Sequence, residues 1–354
     1  MLQFLLRIYG LDPDLCHIEP FGTGLINHTW KVACGEQAFI LQRINKHIFT
    51  KPQSIADNIQ LLANYLDKIA PDYIFAAPIA AVNGKHLIEL DGEYFRMSPF
   101  VPDSHTVDFL IRSEQAYQAA QKFGEFTSLL QHFDAGKLNY TLSDFHNLTL
   151  RISNFFEALK KADPGKKHLA ESEIKQVEAQ LAIAEEYEKI VKGREIPLRV
   201  IHHDTKISNV LFNSSEKGIA VIDLDTVMPG YYISDVGDMM RTYLAKANEE
   251  EKDLNEISIR DDFFAAIYAG YMSKMGDVLT PREKELFIFS GKFMIYMQAV
   301  RFLTDFLNGD IYYKARYEGH NLMRAKNQLR LLALYIEAEP SFGKIIRSIG
   351  TATV

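Results

Sequence analysis

Residues 200–225 read VIHHDTKISNVLFNSSEKGIAVIDLD, and this stretch decides the fold. Its two apolar runs, 210–212 and 219–222, are typical of short strands, and the turn-prone residues between them predict a hairpin. Because a hairpin brings its two outer ends together, we expect the polar side chains that flank the strands to converge. Those side chains belong to Asp204, Lys206, Asn209 and Asp223.

This set of polar groups predicts a particular chemistry. Two carboxylates, an amide and an ammonium group at one point are costly to hold without a ligand, and a divalent cation would offset the like charges. Oxygen donors of this kind suit Mg²⁺ or Mn²⁺ better than they suit zinc. In phosphoryl transfer one Asp accepts the proton of the acceptor hydroxyl, an Asn and a second Asp hold the metal, and a Lys neutralises charge. Taken singly, Asp204 is better explained as the cap of a turn, and His202 as a hydrogen-bonded core histidine.

A second motif, residues 21–27 (FGTGLIN), is a candidate phosphate-binding turn. The run 28–32 that follows is typical of a strand, which argues against a dinucleotide fingerprint, where a helix would follow. The chain also lacks the G-x-x-x-x-G-K-[ST] pattern of P-loop enzymes. A glycine turn between two early strands is how kinase-like folds cover the phosphates of ATP. Alone, the two glycines indicate only a tight turn; the downstream motif favours the phosphate role.

The pattern along the chain predicts an α+β protein with two unequal lobes. The predicted strands are 27–32, 38–42, 78–82, 86–90 and 94–97, with a hairpin turn at Asp91-Gly92. One early helix is predicted over 52–69, and helices over 113–132, 171–191 and much of 235–346. The proline-flanked run 99–102 (PFVP) interrupts the early strand pattern. We therefore expect a nucleotide-binding lobe over 1–98, a catalytic and substrate-binding lobe over 99–354, and a hinge at about 97–102.

Composition narrows the class of protein. The 354 residues include 39 Lys and Arg and 46 Asp and Glu, for a net charge of −7, which argues against nucleic acid and anionic membranes as partners. No uncharged apolar run approaches the ~18 residues of a membrane span. Cys16 and Cys34 have no metal-site spacing, and we interpret both as small apolar side chains without a disulfide. A cytoplasmic protein with no obligate protein partner is expected.

These motifs resemble those of the aminoglycoside phosphotransferase and choline kinase superfamily, which are small-molecule kinases with a protein-kinase-like fold. The resemblance is closer still to the N-acetylhexosamine 1-kinases, and it covers nearly the whole chain. The segments that carry it are, in order, GTGLINHTW, FILQRIN, IPLRVIHHDTKISNVL, AVIDLDTVMPG, DVGDMMR, RFLTDFLNGDIYY and KARYEGHNLMR. It implies transfer of phosphate from ATP, with Mg²⁺, to the anomeric hydroxyl of N-acetylglucosamine or N-acetylgalactosamine.

The resemblance also implies roles for individual residues. Asp204 resembles the catalytic base, with Lys206 beside it, and Asn209 and Asp223 resemble the Mg²⁺ ligands. The residues implied at the nucleotide are Gly22, Thr23, Gly24, Leu25, Asn27, Gln42, Met97, Phe100 and Val101. Those implied at the acceptor are Asp204, Asp225, Arg301 and Tyr312.

One departure from the superfamily pattern concerns charge at the phosphates. Superfamily members usually carry a lysine on the strand after the glycine turn, and here that position is Gln42. Gln60 stands about where its helical Glu partner is expected. The N-acetylhexosamine 1-kinases resemble this sequence in having Gln at the strand position. Positive charge is then expected from Mg²⁺, Lys206 or Arg43.

Alternatives stay open at this point. Arg301 could pair with Asp305, four residues on along a helix, and Tyr312 could be a packing residue near Gly309. The same chemistry could act on homoserine, choline, ethanolamine, methylthioribose or an aminoglycoside. The loss of the usual lysine also allows a nucleotide-binding module without catalysis.

Overall fold

A computed structural model describes residues 1–22 and 26–352 of the chain. It confirms the α+β fold, with strands concentrated in the N-terminal region and a larger helical part after it. The strands are β1 (Cys16–Pro20), β2 (His28–Cys34), β3 (Gln37–Ile44), β4 (Ile88–Leu90), β5 (Glu93–Pro99), β6 (Ser104–His105), β7 (Arg199–Ile201), β8 (Val210–Asn213), β9 (Gly218–Val221) and β10 (Met228–Gly230).

The helices follow the strands along the chain. They are α1 (Leu2–Ile8), α2 (Pro52–Ile69), α3 (Ser113–Leu129), α4 (Leu148–Lys161), α5 (Pro164–Leu169), α6 (Glu171–Ala179), α7 (Leu181–Gly193), α8 (Tyr232–Tyr243), α9 (Asp261–Met275), α10 (Pro281–Glu285), α11 (Phe287–Leu307) and α12 (His320–Ala352). In the described part of the chain, none of them is both long and apolar enough to cross a membrane.

The N-terminal strands form one antiparallel sheet with the order β1-β2-β3-β5-β4. A hydrophobic cluster joins this sheet to α1 and includes the fully buried side chains Leu5, Leu6, Val32, Leu41, Phe95 and Met97. The turn between β4 and β5 has positive φ at both Asp91 (54°) and Gly92 (72°), as a type I′ hairpin turn requires. This confirms the hairpin predicted at these two residues.

The two cysteines form a disulfide bond between β1 and β2, so their interpretation as unbridged apolar side chains is wrong. The antiparallel register places Cys16 directly opposite Cys34, with their Cα atoms 4.3 Å apart. Facing residues of an antiparallel ladder come this close at non-hydrogen-bonded pairs. The two residues are 18 apart in sequence, and only the strand register brings them together.

Other elements also differ from the prediction. Residues 78–82 form no strand; the N–H of Ile79 donates to the carbonyl of Met97 (2.8 Å), but no ladder follows. The helix predicted over 171–191 is divided into α6 and α7, because the backbone turns at Gln180 (φ −109°, ψ 15°). Periodicity missed this break because the apolar positions continue across it. The sequence pattern also failed to reveal α1 and β1.

The chain divides into two compact units, and the division does not fall at one point. The first unit contains residues 1–105, 132–143 and 211–229, and the second contains 106–131, 144–210 and the chain from 230 onward. The single boundary near 98 and the hinge at 97–102 stay predictions. The first unit therefore includes a later hairpin, β8 and β9, to which β6 adds a third strand.

Helices build the second unit. α3 packs against α9, and α11 packs against α8 and α12. Two of these contacts depend on glycine. A Cβ added at Gly270 of α9 would overlap the carbonyl oxygen of Tyr117 in α3, and one at Gly237 of α8 would overlap that of Ser290 in α11. This close packing fixes α8, which in turn supports the loop between β7 and β8.

Candidate active site

The loop between β7 and β8 brings three of the predicted residues together in the second unit. The Nζ of Lys206 lies 2.9 Å from Oδ2 of Asp204. The side-chain Nδ2 of Asn209 donates to the backbone carbonyl of Asp204 (2.9 Å). A short 3₁₀ turn, Ile207–Asn209, leads from this cluster directly into β8. The spacing D-x-K-x-x-N is therefore a local structure, and the loop itself creates the cluster.

The electrostatics of this loop keep Asp204 ionised. Burial raises the pKa of Asp204, but the Lys206 ammonium and the hydrogen bonds from Lys206 and Asn209 outweigh burial and hold this pKa below its usual range. The side chain of Asp204 keeps 27% of its surface exposed. Asp204 is therefore a partly exposed carboxylate that is ionised near neutral pH.

Two buried aspartates of α8 hold the loop, and the sequence analysis assigned neither a role. The carboxylate of Asp235 accepts hydrogen bonds from the backbone N–H of His202 (2.8 Å) and of His203 (2.7 Å). Asp238 accepts one from the backbone N–H of Thr205 (2.9 Å). The backbone is thus fixed on both sides of Asp204. Their i, i+3 spacing in DVGDMMR was a signal, since it sets both carboxylates on one helix face.

Burial shifts the pKa values of both supporting carboxylates upward. Burial raises the pKa of Asp235 to about 7, although two backbone N–H groups oppose this effect. Burial also raises the pKa of Asp238, against the attraction of Arg241, which lies 3.0 Å from its Oδ1. Each carboxylate therefore carries a desolvation cost that its fixed donors offset only in part.

The second unit also contains a cavity of about 310 Å³ beside α4 and α11. Arg301 and Tyr312, two of the residues predicted to bind the acceptor, line this cavity. The other lining residues are Arg151, Asn154, Glu157, Ala158, Lys161, Thr304, Asp305, Asn308 and Tyr313. Its volume is at the small end of the range of about 300–1,000 Å³ that is usual for ligand pockets.

Arg301 does not form the ion pair with Asp305 that the helical spacing allowed. The Asp305 carboxylate instead accepts hydrogen bonds from the backbone N–H of Tyr312 (2.8 Å) and Tyr313 (2.9 Å). The guanidinium of Arg301 donates to Gln298 (3.2 Å) and lies 5.4–6.0 Å from the rings of both tyrosines. Tyr312 itself is 70% exposed, which is not the state of a core packing residue.

Gly22 and Asn27, which flank the middle of the glycine turn, belong to the first unit. Gly22 has a φ of +78°, which favours glycine. Thr23, Gly24 and Leu25 lie outside the described residues. At the end of the turn, the Nδ2 of Asn27 donates to Oδ2 of Asp225 (2.7 Å), and its Oδ1 accepts from the backbone N–H of Asn45 (2.9 Å). Asn27 thus connects the start of β2 to the residue two beyond Asp223.

Gln42, at the position of the usual lysine, is bound by an arginine that the sequence analysis missed. Arg96 of β5 lies opposite Gln42 in the strand register. Its Nε and Nη2 both donate to Oε1 of Gln42, at 2.9 and 2.8 Å. Its Nη1 forms an ion pair with Asp225 at 2.5 Å, and both side chains are almost fully buried. Nothing in the sequence spacing marks this pair, because 54 residues separate Gln42 from Arg96.

The remaining candidates of the first unit are local features of its strands. Met97 is fully buried in the hydrophobic cluster of the sheet. The N–H of Phe100 donates to the carbonyl of Ala38 (2.9 Å), and the carbonyl of Val101 accepts from Ser104 (2.7 Å).

The predicted metal ligand Asp223 follows β9 and has a left-handed backbone (φ 62°). In a residue other than glycine, such a conformation is uncommon and is often found at functional sites.

Residues 17–266, more than half of the chain, match the phosphotransferase enzyme family (APH). The chain belongs to the phosphotransferase enzyme family. The match includes the D-x-K-x-x-N loop and Asp223, and it ends before the segment of Arg301 and Tyr312.

Solved structures similar to this phosphotransferase have the same fold over nearly the full chain. A microcompartment-associated aminopropanol kinase is 16% identical, with 97% of this chain and 98% of that one covered and a TM-score of 0.61. Spectinomycin phosphotransferase in complex with ADP and spectinomycin is 14% identical, with 96% and 97% covered and a TM-score of 0.59. Choline kinase from Cryptosporidium parvum is 14% identical, with 96% of each chain covered and a TM-score of 0.57.

Proposed function

We propose that this phosphotransferase is a sugar 1-kinase, which transfers the γ-phosphoryl group of ATP to the anomeric hydroxyl of N-acetylglucosamine or N-acetylgalactosamine. The observation that carries the proposal is the cluster of Asp204, Lys206 and Asn209, fixed from behind by Asp235 and Asp238. Membership of the phosphotransferase enzyme family supports the reaction class. The resemblance to the N-acetylhexosamine 1-kinases supports the acceptor.

Asp204 acts as the base in this proposal. Its pKa is held below the usual range by Lys206, so the carboxylate is ionised before the acceptor binds. It orients the anomeric hydroxyl and accepts its proton as the new O–P bond forms, while the bond to the leaving ADP breaks. The Lys206 ammonium reduces the repulsion between this carboxylate and an anionic phosphate. Most of the rate comes from positioning and electrostatics, because phosphoryl transfer asks for little covalent chemistry of the protein.

The donor atoms of Asn209 and Asp223 suit a magnesium ion. The Nδ2 of Asn209 donates a hydrogen bond to the Asp204 carbonyl. The amide oxygen of Asn209 is therefore the side-chain atom that can coordinate a cation. Mg²⁺ prefers one or two protein oxygens together with water and substrate phosphates. When bound, it neutralises the phosphate charge that develops during transfer. On the nucleotide side, we assign Gln42, the glycine turn and the segment of Met97, Phe100 and Val101 to binding ATP.

The charge of the second-unit cavity favours a sugar over a cationic acceptor. Two guanidiniums line it, and burial, together with the repulsion of Arg301, lowers the pKa of Arg151. The carboxylates that line it are engaged elsewhere: Glu157 pairs with Lys160, and Asp305 binds backbone N–H groups. An amine in this cavity would meet positive charge without a free carboxylate. Hydroxyl and carbonyl oxygens of a sugar would instead accept hydrogen bonds from the arginines.

An acceptor panel tests the proposal. ADP release is measured with Mg²⁺ and ATP in the presence of N-acetylglucosamine, N-acetylgalactosamine, homoserine, methylthioribose, choline, ethanolamine or an aminoglycoside. We expect the two N-acetylhexosamines to give the highest kcat/KM, and the cationic alcohols the lowest. A cationic alcohol as the best acceptor would replace the sugar assignment. No turnover with any acceptor, despite nucleotide binding, would favour the non-catalytic module.

A further inference from the structure

We propose that Arg96 is a positioning residue, which turns the amide of Gln42 so that its NH₂ group, and not its carbonyl oxygen, faces the phosphates of the nucleotide. Gln42 then serves as a hydrogen-bond donor in place of the usual lysine. The inference rests on the proposed use of ATP and goes beyond it, because it states how a site without that lysine holds a phosphate.

The strand register creates the pair. β3 and β5 are antiparallel neighbours, and Gln42 lies directly opposite Arg96. Side chains at such facing positions are about 5 Å apart at Cβ and interact directly. The two donors Nε and Nη2 of Arg96 lie at 2.9 and 2.8 Å from the same atom, Oε1 of Gln42. A guanidinium has only donors, so it fixes which end of the amide faces it.

The rest of the Gln42 amide follows from this contact. An amide offers one acceptor oxygen and one NH₂ group with two donors. Arg96 occupies the oxygen, which leaves the NH₂ group as the end directed away from the guanidinium. In the structure, this group makes one long hydrogen bond to Oγ1 of Thr29 on the neighbouring strand, at 3.3 Å. This hydrogen bond uses one N–H of the Gln42 NH₂ group. The second N–H of that group is available to a phosphate oxygen.

The guanidinium is itself held in place. Arg96 is 5% exposed, and its Nη1 forms an ion pair with Asp225, which is 1% exposed. Asp225 also accepts the hydrogen bond from Asn27 at the end of the glycine turn. A buried charge of this kind is stable only when it is paired and hydrogen-bonded. All three guanidinium nitrogens of Arg96 thus contact Gln42 or Asp225. Arg96 therefore acts through these two residues and not by touching the phosphate.

The pair explains why glutamine is sufficient at this position. A lysine at residue 42 would meet the positive charge of Arg96, whereas the glutamine carbonyl is attracted to it. A hydrogen bond whose donor is charged is stronger than one between neutral groups, so the guanidinium holds Oε1 of Gln42 more firmly than water would. The amide dipole is polarised by the contact, and its NH₂ end becomes a better donor to an anion.

The decisive variant is Gln42→Glu. The glutamate keeps the shape and forms an ion pair with Arg96, so the fold and the melting temperature are retained, but it offers no N–H donor and repels phosphate. We expect the KM for ATP and the Kd for MgADP, measured by calorimetry, to rise at least tenfold, with the KM of the acceptor N-acetylglucosamine unchanged within twofold. Gln37→Glu, the same substitution at an exposed position of β3, is the matched control, with no change in either constant expected.

A rescue experiment tests the role of Arg96 itself. Arg96→Met frees the amide to rotate and is expected to weaken MgADP binding by about tenfold. In Arg96→Met/Gln42→Lys, the lysine no longer faces a like charge and supplies the usual phosphate contact, so MgADP binding should return to within about threefold of wild type.

The outcomes separate this inference from the proposed function. A wild-type protein that binds neither MgATP nor MgADP would overturn the nucleotide assignment and this inference together. A wild-type protein that binds MgADP, with Gln42→Glu folded and equally tight, would overturn the inference alone. If Arg96→Met does not fold, the Gln42→Glu result decides by itself.

Discussion

Asp305 binds the backbone N–H of Tyr312 at 2.8 Å, and this carboxylate is 5% exposed although it lines a cavity. Its second oxygen takes the N–H of Tyr313 and the Nδ2 of Asn321, at 2.9 and 3.1 Å. The side chain therefore fixes the segment after α11 against Arg301, and it does so without neutralising that arginine. The proposed acceptor cavity depends on this arrangement.

Replacing Asp305 should damage the acceptor side of the reaction selectively. Asp305→Ala leaves two backbone N–H groups without their acceptor, so the segment of Tyr312 loosens. We expect the KM of N-acetylglucosamine to rise by about tenfold or more. This matches the cost of roughly 1–3 kcal/mol for leaving a buried polar group unpaired. The KM for ATP should stay within twofold of wild type. Hydrogen–deuterium exchange should accelerate at the amides of Tyr312 and Tyr313, a readout that does not depend on the acceptor.

Glu171→Gln is the control for Asp305→Ala, because it removes an exposed carboxylate that pairs only with surface residues. An Asp305→Ala protein with normal exchange at both amides and a normal acceptor KM would contradict the positioning role. Faster exchange with an unchanged acceptor KM would support the hydrogen bonds of Asp305 but contradict their role in acceptor binding.

Asp235 predicts a pH dependence of stability. Its pKa in the folded protein is raised to about 7 by burial, above the value of about 3.9 expected in the unfolded chain. Between these values the folded state binds the extra proton, so this group's contribution to stability falls as the pH rises from about 4 to about 7. We therefore expect the melting temperature of wild type to fall relative to that of Asp235→Asn across this range.

Asp235→Asn also tests the support of the catalytic loop. His202 and His203 donate to different oxygens of the Asp235 carboxylate. In asparagine an NH₂ group, which cannot accept, replaces one of these oxygens, so one N–H loses its partner and kcat should fall at every pH. Melting curves of wild type and Asp235→Asn at pH 5, 6, 7 and 8 measure how the difference in melting temperature depends on pH. A difference between their melting temperatures that does not vary with pH would be evidence against the raised pKa.

The disulfide should stabilise the first unit. In the chain-entropy view, a bond that closes a loop of about 15 residues contributes roughly 3 kcal/mol, and Cys16 and Cys34 are 18 apart. We expect Cys16→Ser/Cys34→Ser to lower the free energy of unfolding by up to about this amount. Thiol titration of the native protein without reductant should detect no reactive cysteine; two reactive thiols, or unchanged stability of the double variant, would show that the bond does not form in solution.

The contact between α3 and α9 should not tolerate a side chain at Gly270. An added Cβ overlaps the Tyr117 carbonyl, and a backbone atom cannot move aside as a flexible side chain would. Gly270→Ala is expected to destabilise the protein by about 1–3 kcal/mol, as overpacked cores do. Gly350→Ala is the matched control: its Cβ would meet no atom within 4 Å, and alanine favours the helix. Equal chemical denaturation midpoints for the two variants would contradict this packing.

The sequence predicted what short-range spacing determines. Asp204, Lys206 and Asn209 lie within one loop, so their cluster follows from the D-x-K-x-x-N spacing alone. The Asp91–Gly92 hairpin was likewise visible, because its turn needs positive φ at both residues. Local chemistry of this kind is encoded by neighbours in the chain.

What the sequence did not reveal depends on register and on distant helices. Arg96 faces Gln42 only because β3 pairs with β5, and Cys16 faces Cys34 only because β1 pairs with β2. Asp235 reaches the loop from α8, more than thirty residues away. The i, i+4 spacing of Arg301 and Asp305 even suggested an ion pair, but backbone N–H groups that only the folded segment supplies bind the carboxylate instead.

The central claim is that Asp204 serves as the base in phosphorylation of an anomeric hydroxyl, and ³¹P NMR of the product tests it most directly. Wild type with MgATP and N-acetylglucosamine or N-acetylgalactosamine should accumulate a sugar 1-phosphate, whose phosphorus couples to the anomeric proton. Asp204→Asn should remain folded and form this product about 10²–10⁴-fold more slowly, the usual contribution of a general base. A product phosphorylated at another position, or an Asp204→Asn rate equal to that of wild type, would contradict the account.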